Sequence, residues 1–292
     1  MVTARANGID IEYETFGDRT DPAMLLIMGL GGQLIVWDEE FCRQLAARGF
    51  HVIRFDNRDV GLSTKLDDHG EPDMMAVVQG DRSSVAYELE DMARDAAGLL
   101  DALGIERAHI VGVSMGGMIA QLLAIEHPDR VLSLASIMSN TGDPSVGQPT
   151  PEAIEVLMNP PPTEREAVIE REVETTRILG SPGFPLDEER TRRRAAAFFD
   201  RSFHPAGVNR HVGAVVGAAD RTERLGRVDV PTVVIHGSAD PLVTPSGGDA
   251  TAKAISGAEL IVIEGMGHEL PPDAWPTVLD AVVGNAEKAH TR

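Results

Sequence analysis

A serine between glycines, Gly112-Val113-Ser114-Met115-Gly116, is the first feature of the sequence that could do chemistry. The pentapeptide closes an apolar run, residues 108–113, and opens a helical pattern, residues 116–127. A strained strand-to-helix turn in that position pushes a hydroxyl out beyond the end of a strand. It works only if the flanking residues carry no side chain that would strike the strand or the helix. A chance Gly/Ser-rich turn also matches GxSxG, but it needs neither the apolar run before it nor the helix after it. Ser114 is read as a nucleophile on that context.

A hydroxyl is a weak nucleophile near neutral pH and needs an imidazole to take its proton. Of nine histidines, His268 in Gly265-Met266-Gly267-His268 lies in a loop just past the last apolar run, residues 259–263. His51, His109 and His236 belong to or adjoin strand-like runs, and His127 ends a helix before Pro128. His69, His204, His211 and His290 lie in polar surroundings. A base of this kind needs a carboxylate to hold its tautomer, and Asp240 follows the apolar run 232–236 within His236-Gly237-Ser238-Ala239-Asp240-Pro241. Asp220 and Asp249 are alternatives, though neither stands just past a strand. His236 also ends a strand, but it precedes the acid in the chain.

Acyl transfer further requires donors for a developing oxyanion: the backbone N–H after the nucleophile and one from the loop after the third strand. Those would be Met115 and Leu30, the latter in the glycine-rich loop Met28-Gly29-Leu30-Gly31-Gly32-Gln33. The same loop could be read as a dinucleotide-binding turn. However, Leu34 stands where the last glycine of GxGxxG belongs, and no helix signal starts there.

The remaining composition narrows the field. A formal charge of −20, from 26 Lys plus Arg against 46 Asp plus Glu, repels nucleic acid and anionic lipid. The longest uncharged stretches, near residues 23–37 and 109–125, are interrupted by glycines and too short to span a bilayer. With no apolar leader pattern at the N-terminus, a soluble, cytoplasmic protein is expected. The single cysteine, Cys42, excludes an internal disulfide and is expected to fill core space. HExxH, CxxC and P-loop motifs are all lacking, so neither metal nor cofactor is expected.

These residues need a scaffold that brings strand ends to one edge. Ile9 to Glu14 alternates apolar and acidic residues, which suits a half-buried antiparallel strand in an N-terminal hairpin. The continuous apolar runs 23–28, 51–55, 108–113, 131–137, 232–236 and 259–263 suit strands buried on both faces of a parallel sheet. Helical spacing marks 38–48, 84–103, 116–127 and 273–287 between them. The expected fold is α/β, a mainly parallel eight-stranded sheet covered by helices. The alternation breaks between 140 and 227, where Pro144, Pro149, Pro151 and the Pro160-Pro161-Pro162 run punctuate Arg/Glu-rich helical stretches. That segment is expected to be an inserted helical cap, with 1–139 and 228–292 as the core.

Met28-Gly29, FDNRDVGLST (55–64), GVSMGG (112–117), HGSADPLVTP (236–245) and GMGHELP (265–271) occur in the order found in the α/β-hydrolase superfamily. The chain outside the cap resembles that superfamily, and within it the aclacinomycin methylesterase-like carboxylesterases. The resemblance implies hydrolysis of a small-molecule ester through an acyl-serine at Ser114, with Asp240 and His268 completing a triad. It also implies that the Asp56 to Arg58 region supports the loop beside the site. Met28 departs from the many relatives that carry His before this glycine, which removes a side chain often used to brace the oxyanion loop. Lipase, thioesterase or cofactor-free perhydrolase activity would use the same triad, and a receptor-like protein with little turnover could retain it. Epoxide and haloalkane hydrolases place Asp where this chain has Ser114. The methionines Met28, Met115 and Met138 would suit either an adaptable pocket or the core.

Overall fold

A computed structural model describes residues 2–159 and 162–291. Pro160 and Pro161 of the proline run therefore lie outside the described residues. Eight strands form one sheet in the order β1-β2-β4-β3-β5-β6-β7-β8. They are β1 (Val2–Ala6), β2 (Ile9–Phe16), β3 (Ala23–Ile27), β4 (His51–Phe55), β5 (Ala108–Val113), β6 (Val131–Ile137), β7 (Thr232–Gly237) and β8 (Glu259–Ile263). The pairs β1/β2 and β2/β4 are antiparallel and the other five are parallel. The first hairpin turns on Asn7 and Gly8, both at positive φ, the backbone that a two-residue turn with the sheet's own twist demands.

The helices before β6 are α1 (Glu39–Ala46), α2 (Met74–Val78), α3 (Leu89–Ala102) and α4 (Met115–Glu126). Between β6 and β7 the described chain holds α5 (Pro151–Met158), α6 (Arg165–Leu179), α7 (Glu188–Arg201), α8 (Pro205–Val216) and α9 (Thr222–Leu225), with no strand among them. Two more follow, α10 (Ser246–Ala254) and α11 (Trp275–Glu287).

Apolar residues pack in two clusters, one on each face of the sheet. Leu25, Ile53 and Ile110 meet α3 and α4 on one face; Leu26, Val52 and Val111 meet α1 and α11 on the other. The uninterrupted apolar runs of the central strands thus bury both faces, which is what a parallel sheet covered by helices requires. Helix α4 is buried on nearly every side, consistent with a sequence whose apolar residues favour no single face.

Two expectations need correction. Strand β8 is the sheet edge and is not buried on both faces: Glu259 and Val262 are exposed, Val262 by 52%. Helix α3 begins at Leu89 and not near residue 84, because the Asp91 carboxylate accepts the Glu88 N–H and fixes the helix start there. Met28, Met115 and Met138 all pack in the two cores. Cys42 is fully buried, and burial pushes its thiol up to about 12, so it fills space as an inert apolar group.

Candidate active site

The β-to-loop transitions at one edge of the sheet gather the groups picked out from sequence. Ser114 follows β5, Asp240 lies three residues past β7, and His268 lies five past β8. Parallel strands end on the same side, so side chains far apart in sequence meet there. Ser114 has φ 55° and ψ −122°, a conformation that costs about 1–3 kcal/mol and persists only where its surroundings enforce it. Those surroundings are tight. A Cβ on Gly112 would lie 2.1 Å from the Gly116 carbonyl oxygen, and one on Gly116 would lie 2.1 Å from that of Ile27.

His268 Nε2 lies 3.0 Å from Ser114 Oγ, and His268 Nδ1 lies 2.8 Å from Asp240 Oδ2. Asp240 is buried, and its other oxygen accepts the N–H groups of Leu242 and Val243, each at 2.9 Å. The carboxylate is thereby held as an acceptor. That fixes Nδ1–H on the imidazole and leaves Nε2 free to accept from the serine. His236 is committed elsewhere. Its Nε2–H donates to the Val243 carbonyl at 2.7 Å, and burial lowers its pKa, so the ring is a neutral support beneath Asp240. Asp220 caps the backbone at Thr222 and Asp249 pairs with Lys253, away from the histidine.

The loop after β3 runs beside the serine, and a Cβ on Gly29 would stand 3.2 Å from that of Ser114. Among the described residues, the N–H groups of Leu30 and Met115 have no hydrogen-bond partner. The segment after β4 supports this loop. Asn57 Nδ2 donates to the Met28 carbonyl at 3.0 Å, and Asp56 accepts the Leu34 and Leu62 N–H groups, both at 2.7 Å. An apolar cavity of about 110 Å³ opens beside Gly31, lined in part by Val60, Phe198, Phe203 and Val208.

The helices between β6 and β7 are tied to this edge at several points. His268 N–H donates to the Leu179 carbonyl at 2.7 Å, and Gly267 N–H to Ser181 Oγ at 3.0 Å. In return, Glu269 Oε1 accepts the Ser181 N–H at 2.9 Å. Arg201 reaches Asp56 at 2.8 Å, and Arg210 pairs with both oxygens of Asp59 at 2.8 Å. Burial works to raise the Asp59 carboxyl, but the Arg210 guanidinium and the Leu66 N–H outweigh it and hold its pKa below the usual carboxylate range.

The Asp59–Arg210 side chains are at most 1% exposed. Replacing Asp59 with Asn therefore leaves a buried cation with half its pairing. The loss of unfolding free energy should be about 3 kcal/mol, near the low end for a broken buried pair, because Asp67 still reaches Arg210 at 2.9 Å. Urea unfolding of the Asp59→Asn protein checks this, and a change too small to resolve would mean that the pair does not hold the helices to the core.

One sequence expectation fails here. His211, expected in polar surroundings, is 0% exposed, between the Gly31 N–H and the Arg58 carbonyl. No local pattern announces it, since both partners lie more than 150 residues away in the chain.

Residues 22–274 match the family described as alpha/beta hydrolase fold. The chain belongs to that family. Rhodomycin D methylesterase DauP of Streptomyces sp. (strain C5) is 32% identical over 96% of this chain and 94% of its own length. Rhodomycin D methylesterase DnrP of Streptomyces peucetius is also 32% identical, over the same shares of the two chains. Among solved structures, the enol-lactonase of Burkholderia xenovorans LB400 superposes with a TM-score of 0.73 at 26% identity, covering 98% of this α/β hydrolase and all of the enol-lactonase. No helix among the described residues is long and apolar enough to cross a membrane.

Proposed function

We propose that this α/β hydrolase is a carboxylic ester hydrolase working through an acyl-serine intermediate, with Ser114 as nucleophile, His268 as base and Asp240 as the group that orients the base. The observation that carries the reading is the unbroken hydrogen-bond chain Asp240–His268–Ser114 at the sheet edge, at 2.8 and 3.0 Å. Ser114 Oγ attacks the ester carbonyl as His268 Nε2 takes its proton. The resulting oxyanion is received by the N–H groups of Leu30 and Met115, which are free to donate. Collapse expels the alcohol, protonated by His268, and a water activated by the same nitrogen then releases the acid.

Residues 140–227 act as a cap over the core formed by 1–139 and 228–292. The apolar cavity beside Gly31 is where a hydrocarbon part of the substrate lodges. The mechanism needs no metal or cofactor. The relatives named as methylesterases support small-molecule methyl esters as the substrate class.

The test is turnover of p-nitrophenyl esters from acetate to palmitate, together with methanol release from small methyl esters. Hydrolysis of methyl esters, with p-nitrophenyl turnover falling toward the long chains, is expected. A preference for palmitate would move the reading to a lipase, and a correctly folded protein that turns over no ester would overturn it.

A further inference from the structure

His211, carried by α8, is among the described residues the one buried histidine that bridges the helices between β6 and β7 and the loop beside Ser114. Its Nδ1 accepts the Gly31 N–H at 3.1 Å, and its Nε2–H donates to the Arg58 carbonyl at 2.8 Å. Both bonds form together only in the neutral ring with the proton on Nε2. Complete burial pushes the pKa down to about 4, so that neutral form is the one present near pH 7.

The consequence for the loop follows from its peptide planes. Asn57 holds the Met28 carbonyl, and with it the Met28–Gly29 plane. The Leu30 N–H lies in the Gly29–Leu30 plane, opposite the Gly29 carbonyl, and the bond that carbonyl accepts from the Gly32 N–H at 3.1 Å stays within the loop, so it does not anchor the plane to the core. The next plane, Leu30–Gly31, is held through the Gly31 N–H by His211 and by no other hydrogen bond among the described residues. Gly31 sits at φ +67°, and Val208, also on α8, stands 3.2 Å from where its Cβ would be. A loop with glycines at 29, 31 and 32 loses much backbone entropy on ordering, so a donor that must stay aimed within it needs external anchors.

We propose that His211 is a positioning residue for the oxyanion loop: its bond to Gly31 keeps the Leu30 N–H aimed at the substrate oxyanion, so the α5–α9 segment sets the rate of acyl transfer. This rests on the esterase reading above.

Two amides separate the two bonds of the ring. In His211→Asn, Oδ1 takes the place of Nδ1 and can still accept from Gly31. In His211→Gln, Nε2 takes the place of the ring Nε2 and keeps only the bond to Arg58. His211→Ala loses both. The measurements are kcat and KM on p-nitrophenyl acetate, inhibition by a trifluoromethyl ketone that forms a tetrahedral adduct on serine, thermal unfolding, and hydrogen exchange of the Gly31 amide.

His211→Gln and His211→Ala are expected to lose about 10- to 100-fold in kcat, the scale of a misaimed oxyanion donor. KM should stay within about 3-fold, since ground-state contacts are untouched. Ketone affinity should fall in parallel, and Gly31 exchange should speed up. His211→Asn should retain most of the rate, the affinity and the slow exchange. Equal losses in Asn and Gln that follow the unfolding temperature, or an unchanged kcat in a folded His211→Ala, would overturn the proposal. If the wild type turned over no ester, the esterase reading would fall. The exchange rates would then still decide whether His211 anchors Gly31.

Discussion

Replacing Ser114 with Ala should lower kcat for ester hydrolysis by about 10⁴- to 10⁶-fold while leaving the protein folded. The rate falls because, among the described residues, no other hydroxyl lies against His268 Nε2, which stands 3.0 Å from Ser114 Oγ. The fold survives because Ala keeps the Cβ. The strained backbone at φ 55° is enforced by β5, α4 and the Ile27 carbonyl, not by the hydroxyl. What activity remains comes from substrate binding and the backbone donors. Steady-state kinetics with p-nitrophenyl acetate, paired with a urea melt, checks both halves. A folded variant retaining a tenth of the wild-type rate would place the nucleophile elsewhere.

Asp240→Asn should cost about 10⁴-fold in kcat with little change in KM. An asparagine can still offer its carbonyl oxygen to the Leu242 and Val243 N–H groups, as Oδ1 of Asp240 does at 2.9 Å. Its NH₂ then faces His268 Nδ1, which must become an acceptor. The ring proton moves to Nε2, where it points at Ser114 and cannot be replaced by the serine's own. The defect is one of tautomer, so the three residues stay in register while the base is disabled. A loss below about 10-fold would mean that Asp240 does not orient the imidazole.

The sequence exposed what depends on local pattern. Ser114, Asp240 and His268 could be expected at one sheet edge because each stands a few residues past an apolar run, and a parallel sheet sends such positions to one side. The strands themselves were legible where both faces are buried. The edge strand β8 was misread because an apolar run does not say how many neighbours will cover it. His211 escaped for a different reason: its partners, Gly31 and Arg58, are set by how α8 docks, and docking has no period in the sequence. The departure at Met28 implied an oxyanion loop short of a brace. The bond from α8 supplies one at Gly31, from a segment whose own sequence carries no motif. The ion pairs of Asp56 with Arg201 and of Asp59 with Arg210 were hidden in the same way, as ordinary charges on an Arg-rich stretch.

The bonds from Leu179 and Ser181 to the His268 loop, together with the bond from His211 to Gly31, change what kind of object the inserted helices are. A flap that swung on a hinge would drag His268 and the loop at Gly31 out of place at every opening. Any such opening has to break these bonds first. Exchanging these helices for those of a relative, as one would to alter selectivity, therefore replaces the partners of His268, Gly267 and Gly31 along with residues that line the cavity.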